Sequence, residues 1–400
     1  MSTLPPPNSR PTSLSKLLPA TFLASVSGGA FWSAIFFVTA RAFAFSSARN
    51  LALASVMGVA YIGGALASGP VTRKLSRWAS VRAVMIGALW TWGAFACVPL
   101  LFAAMWEPAL WIAALGGSVT SALVWPMMES YLTAGRHGAA MRQAMGRYNL
   151  TWTSSVAVPL LLMPLVARWN VLATLGLCAV FNLVSGLIVA GFAPQPAHHD
   201  EASSQEAVGR EYPHLARATT WLLPCSYIIC SALSPVLPSA LRDLGMSTTM
   251  APVWAATWMV ARFMTLIVLW RSSFWHGRWP PLLFGAVALF AGSAVALVAS
   301  WAWLCVCGLA AFGCGMGVLY YTSLYYSMSV GQAQVDAGGK FEALVGVGYV
   351  VGPVLGLISF ANPQTMSPTA AMMVMGTLTA VGASLMPLRA YRAAKASRRA

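Results

Sequence analysis

Long apolar runs recur along this chain at close intervals, and almost none of them carries an internal charge. A hydrocarbon core of about 30 Å takes about 20 apolar residues per helical crossing. Runs of that kind, bounded by charged or turn residues, lie near 18–42, 51–70, 82–105, 108–132, 145–167 and 170–192. Six more lie near 218–241, 251–270, 279–300, 302–329, 342–362 and 368–388. No stretch is left for a separate water-soluble domain. With 58% of its residues hydrophobic and 8% charged, against about 45–50% and about 25% in soluble domains, the chain reads as an all-α membrane protein with 12 transmembrane helices.

Its net charge of +15 does not point to nucleic acid, because a nucleic-acid binder gathers Lys and Arg on one face, whereas here they form short clusters between the runs. Twelve crossings put both termini on one side. That side collects Arg10, Lys16, Arg73, Lys74, Arg77, Arg82, Arg136, Arg142, Arg147, Arg210, Arg217, Arg271, Arg278, Lys340 and the five basic residues from Arg389 onward. Only Arg41, Arg49, Arg168 and Arg242 fall on the other, so the positive-inside rule places both termini in the cytoplasm of an inner or plasma membrane. The polar, Pro- and Ser-rich segment up to Lys16 reads as a cytosolic tail, and the run after it is too long for a signal peptide. Trp78, Trp106, Trp169, Trp221, Trp275 and Trp301 lie near run ends, where an interfacial aromatic belt is expected. All seven cysteines fall inside apolar runs, which suits packing rather than a disulfide framework.

Four of the nine acidic residues, Asp200, Glu201, Glu206 and Glu211, sit together in a polar stretch. The expected organisation is a six-helix bundle with its tail over 1–192, a cytosolic linker over 193–217, and a second six-helix bundle with a basic tail over 218–400. A shift of 194 residues superposes Tyr131 on Tyr325 and Pro159 on Pro353. Each half then shows a Ser/Tyr-bearing span end, a short polar loop and a span with a central Pro. In topology the chain resembles the major facilitator superfamily. Its loop after the second span, Gly69-Pro70-Val71-Thr72-Arg73-Lys74-Leu75-Ser76-Arg77-Trp78, is similar to that family's G-x-x-x-D-R-x-G-R-R motif at Gly69, Lys74 and Arg77. Arg73 stands at the family's Asp, and Ser76 at its second Gly. The resemblance implies two pseudo-symmetric bundles around a central cavity, with Gly69, Lys74 and Arg77 at a cytoplasmic gate. Glu129, at the end of the fourth span, and Glu342, at the start of the eleventh, are expected there too, supplying the missing negative charge. Gly346, Gly348, Gly352-Pro353 and Gly356 resemble the Gly-Pro kink motif that drug exporters of the family carry in their fifth span. The fifth span here, around Pro159, lacks those glycines. Pro159, Gly348, Gly352, Pro353 and Gly356 are expected to serve as hinges, or only to let helices pack closely.

Charged residues at membrane depth default to functional hypotheses. Arg262 lies nine positions before Arg271, about 13 Å inside the span at 1.5 Å per residue. Trp254 and Trp258 precede it at helical spacing. The functional reading is a site for an anionic or aromatic substrate; the structural one is an Arg that joins helices through carbonyls. Trp258 and, from the facing fifth span, Asn149 and Trp152 complete the expected cavity with Tyr325 of the tenth. Asn149 has an interhelical bond as its alternative role, and Tyr325 an interfacial one. The paired His198-His199 beside Asp200 makes a poor metal site, and no phosphate-binding Gly-Lys loop or nucleotide fingerprint occurs. The sequence therefore predicts no catalytic residues, metal or cofactor, and no enzyme. It predicts a secondary transporter of a small anionic or aromatic metabolite by alternating access, with room for a coupling proton or ion. Export of amphipathic compounds and a non-transporting sensor of the same fold are the alternatives.

Overall fold

The computed structural model describes residues 11–75, 77–102, 106–136, 138–197, 211–330, 335–361, 391, 392 and 395. Among them every regular element is a helix. In the first half these are α1 (Leu14–Ala42), α2 (Ser47–Leu75), α3 (Val81–Leu101), α4 (Pro108–Thr133), α5 (Gly138–Val166) and α6 (Ala173–Val189). In the second they are α7 (Tyr212–Leu233), α8 (Ala251–Arg271), α9 (Trp279–Val298), α10 (Ala302–Val330) and α11 (Val335–Ala361). Eleven expected spans thus coincide with helices. The twelfth, 368–388, and most of the expected linker, His198 to Asp200 included, lie outside the described residues.

Local chemistry sets the helix ends. Ser13 and Ser80 cap α1 and α3, accepting from the backbone N–H groups of Ser15 and Ala83 at 3.3 and 3.2 Å, and so satisfy donors that the first turn leaves open. Pro108 and the Pro280-Pro281 pair occupy first-turn positions of α4 and α9, where a missing N–H costs nothing. Arg73 and Lys74 lie in the last turn of α2, the favourable end of the dipole for cations. The run expected to continue over 218–241 is broken. At Ser234–Val236 the chain turns, and the short helix Leu237–Asp243 leaves α7 at 56°. Pro235 explains the break, because its ring disfavours helical backbone at Ser234 and it has no N–H to donate. A smaller interruption at Ala256 divides α8.

Within the first half α1 packs on α5 and α6, α3 on α4 and α6, and α2 on α4. In the second, α10 packs on α7, α8 and α9, and α7 on α11. The halves meet along α2 with α11 and α5 with α8. Small residues make the first of these seams possible, since a Cβ on Gly58 of α2 would lie 2.5 Å from the Tyr349 carbonyl oxygen of α11. On the face away from the basic loops, Ser47 hydrogen-bonds Ser239 across the halves at 2.6 Å. Nearby, buried Asn50 accepts from Thr39 at 2.6 Å and donates to the carbonyls of Phe36 and Pro235. The same face carries the Arg49–Glu107 ion pair at 2.5 Å. Glu107 also accepts from Trp111, and this bond, followed by Arg49, holds its carboxyl below the ordinary glutamate value.

The outward surface is apolar. Leu165 and Leu187 in the first half, and Leu283, Phe284 and Val287 on α9, are exposed. A contiguous surface of that kind needs a lipid partner. Trp78 and Trp169 stand almost fully exposed at helix ends, as an aromatic belt requires, whereas Trp275, expected in the same belt, is buried.

Candidate functional site

Between the halves lies a cavity of about 140 Å³, to which α1, α2, α4, α5, α7, α8, α10 and α11 all contribute. Its shape begins with α1. Gly29 lets that helix press on α5, where a Cβ would lie 2.2 Å from the Val156 carbonyl oxygen. Directly afterwards the helix widens into a π-turn over Ala30–Ala34, and Trp32 and Ser33 from this turn face the cavity. Single π-turns inside α-helices recur at functional sites.

Arg262 is 3% exposed and lines the cavity from α8. Its guanidinium lies 4.4 Å from the Trp152 ring centre and 4.7 Å from that of Tyr320, a cation held between two π faces. It donates to the Tyr227 hydroxyl at 3.5 Å and approaches the Met316 sulfur at 4.0 Å, both long contacts. Nε has no partner. Trp152 is itself oriented by donating its indole N–H to Asn149 Oδ1 at 3.0 Å, and Trp258 lines the wall beside Met259.

The carboxylates of Glu129 and Glu342 line this same cavity. Both were expected at the rim with Gly69, Lys74 and Arg77. For Glu342 the reason is helix length: α11 begins at Val335, seven residues before it, which sets that carboxylate about 10 Å further in, whereas Glu129 lies in the last turns of α4, where it was expected. Glu342 accepts from the Tyr61 hydroxyl of α2, a bond that crosses the halves. Tyr61, Trp32 and Tyr349 form an aromatic corner. Trp32 stacks on Tyr349 at 4.7 Å, and Tyr61 stands edge-on to both.

The structure thus brings Arg262, Trp258 and Trp152 into one cavity. Asn149 touches it only through Trp152, and Tyr325 lies elsewhere, its ring stacked on His276 at 4.8 Å and packed against Trp275 and Tyr212 at the basic face. Tyr320, five residues earlier on α10, takes the expected place of Tyr325. Trp254 is 42% exposed because the break at Ala256 separates it from the Trp258–Arg262 face. Gly69 is buried, while Lys74 and Arg77 are exposed and meet no carboxylate among the described residues. Pro159 and Pro353 lie inside α5 and α11. Gly348 and Gly352 let α11 approach α7, with a Cβ on Gly352 only 2.1 Å from the Ile228 carbonyl oxygen, and Gly356 lies against Leu51 of α2. Sequence reasoning missed Trp32, Tyr61, Tyr227, Tyr320 and Tyr349. One signal was present: the 194-residue shift carries Trp32 to within one position of Tyr227, so both halves offer an aromatic ring from their first helix.

The model of the Major Facilitator Superfamily matches residues 17–353. The chain belongs to this superfamily. Solved transporters share its fold. The nucleoside transporter NupG superposes with a TM-score of 0.64 at 12% identity, over 95% of this chain and 98% of that one. The POT family transporter PepTSo gives 0.70 at 12%, over 96% and 98%. A bacterial homolog of the human lysosomal transporter Spinster gives 0.64 at 14%, over 94% and 97%. No curated protein matches the chain by sequence. The chain offers a mainly apolar cavity at the junction of its halves, into which Arg262, Glu129 and Glu342 project. It can hold a small molecule through one cation, two carboxylates and a wall of aromatic rings.

Proposed function

We propose that this superfamily member is a secondary active transporter of a small metabolite with an anionic group and an aromatic or apolar body. One observation carries the reading: a buried Arg262 that faces the central cavity with its Nε unpartnered and no carboxylate in salt-bridge reach among the described residues. A buried cation without a counter-charge costs several kcal/mol, and an anionic substrate removes that cost when it binds. Trp152, Tyr320 and Trp258 would hold the body of the substrate, and Asn149 keeps Trp152 in place. The structural neighbours are named as nucleoside, peptide and fucose:proton transporters, which supports transport, rather than catalysis, without fixing the cargo.

In this reading residues 1–192 and 218–400 rock as two bundles joined by 193–217, the termini face the cytoplasm, and Gly69, Lys74 and Arg77 lie at the gate on that side. Pro159, Gly348, Gly352, Pro353 and Gly356 supply the bends and close contacts on which the bundles move. The test is ligand-dependent thermal stabilisation across a metabolite library, followed by flux into proteoliposomes, for the wild type and Arg262→Gln. Ligands that bind the native state raise its melting point. Anions are expected to stabilise and cross with the wild type alone. If Arg262→Gln folds and handles the same compounds equally well, the anion site is refuted and export of amphipathic compounds takes its place. Binding without flux would make the chain a sensor.

A further inference from the structure

Arg262 and the carboxyl groups of Glu129 and Glu342 line the cavity with no ion pair among them. Among the described residues neither Glu129 nor Glu342 reaches Arg262 within 4.0 Å. Glu342 has the Tyr61 hydroxyl. Glu129 is 9% exposed, faces the cavity, and its carboxylate meets no hydrogen-bond donor or cation among the described residues. A buried carboxylate without a partner is costly in its ionised form, and an ammonium group placed beside it offsets that cost. The surroundings on this side also differ from those of Arg262. Tyr61 holds Glu342, and its ring stands at 89° to both Trp32 and Tyr349, at 5.2 and 5.5 Å. Carboxylates beside aromatic faces attract an organic cation, because the ring quadrupoles and the carboxylate charge act in the same direction.

We infer that Glu129, Glu342 and the Trp32–Tyr61–Tyr349 corner form a second pole of the cavity that takes an organic ammonium group, so that the substrate is a zwitterion. The inference rests on the reading of Arg262 as the anion site. The poles are connected through Tyr227, whose hydroxyl accepts from Arg262 and whose ring packs on Tyr349 at 5.5 Å. Both carboxylates lie beyond salt-bridge reach of the guanidinium, so each pole can hold one charge of the substrate, and a chain-length series measures the spacing between them. Arg262 is on α8 of the second half, whereas the second pole draws Glu129, Trp32 and Tyr61 from the first half and Glu342 and Tyr349 from α11.

The test uses the purified full chain and a chain-length series of ω-amino acids and their trimethylammonio counterparts, such as aminocaproate. Each is matched to its one-charge analogues, here caproate and hexylamine. The expected result is that at least one zwitterion raises the melting temperature beyond both analogues at equal concentration. In Glu129→Gln/Glu342→Gln its apparent affinity should fall roughly tenfold or more, to that of the matched anion, while Arg262→Gln loses the response to the anion. Glu129→Gln alone replaces a carboxyl that makes no hydrogen bond among the described residues and should fold at least as stably as wild type, which keeps the test open if the double variant does not fold. The inference is overturned if no zwitterion exceeds its matched anion in the wild type, or if the excess survives the Gln variants. Anion responses that do not depend on Arg262 would instead overturn the underlying anion site.

Discussion

A methyl group added at Gly58 tests how the halves are held together. The Cβ of Gly58→Ala would lie 2.5 Å from the Tyr349 carbonyl oxygen, 2.6 Å from its carbon and 2.9 Å from the Val350 nitrogen. All three are backbone atoms, so no side-chain rotation relieves the contact. Ordinary contact begins near 3.4 Å, and α2 and α11 must separate by about 0.9 Å. Overpacking of this kind costs about 1–3 kcal/mol. Tyr61, one helical turn further along α2, would be carried away from Glu342, weakening the hydrogen bond that joins the halves at the cavity. Gly63→Ala is the matched control: it lies on the same helix with nothing within 4 Å of its Cβ, and Ala there gains up to about 1 kcal/mol of helix propensity. Fluorescence-monitored thermal unfolding in detergent, with labelling of single cysteines placed along the α2–α11 seam, reads both effects. Gly58→Ala should melt lower than wild type and label faster, and Gly63→Ala should do neither. A Gly58→Ala variant as stable and as protected as Gly63→Ala would refute the close seam.

Two further outcomes follow from the face opposite the basic loops. The lowered Glu107 carboxyl makes the Arg49–Glu107 contact favour the folded state fully above the ordinary glutamate value of about 4.3, and that contribution is lost as pH falls through the lower folded value. The melting-temperature difference between wild type and Glu107→Gln should therefore be small but constant near neutrality and vanish in the acid range; a difference that grows on acidification contradicts the sign. Asn50→Ala removes the bonds Asn50 makes to the Thr39 hydroxyl and to the Phe36 and Pro235 carbonyls, while Thr39 keeps the Ile35 and Phe36 carbonyls at 3.0 Å; the cost is about 1 kcal/mol. Chemical denaturation should show the loss, and an unchanged midpoint would mean that water already serves these groups.

Composition and the spacing of apolar runs determined by themselves that this chain is a bundle of membrane-crossing helices, and the 194-residue shift added the expectation of two related halves. Bilayer thickness fixes how long an apolar run must be, and burying a charge in hydrocarbon is costly enough that Arg262 stood out without any coordinates. Tertiary structure alone decided which side chains share the cavity. Tyr61 and Glu342 are 281 residues apart, and no local pattern records that α2 and α11 touch. Glu342 looked peripheral because the polar turn before it, Asp336 to Lys340, hid the extra helical turns of α11. Tyr320 and Tyr325 occupy one helix and differ by five positions, yet one meets Arg262 and the other a histidine at the basic face. Hydropathy describes a residue's preference for lipid or protein, whereas the direction in which it points depends on helix rotation and packing, which the sequence of a single span leaves open.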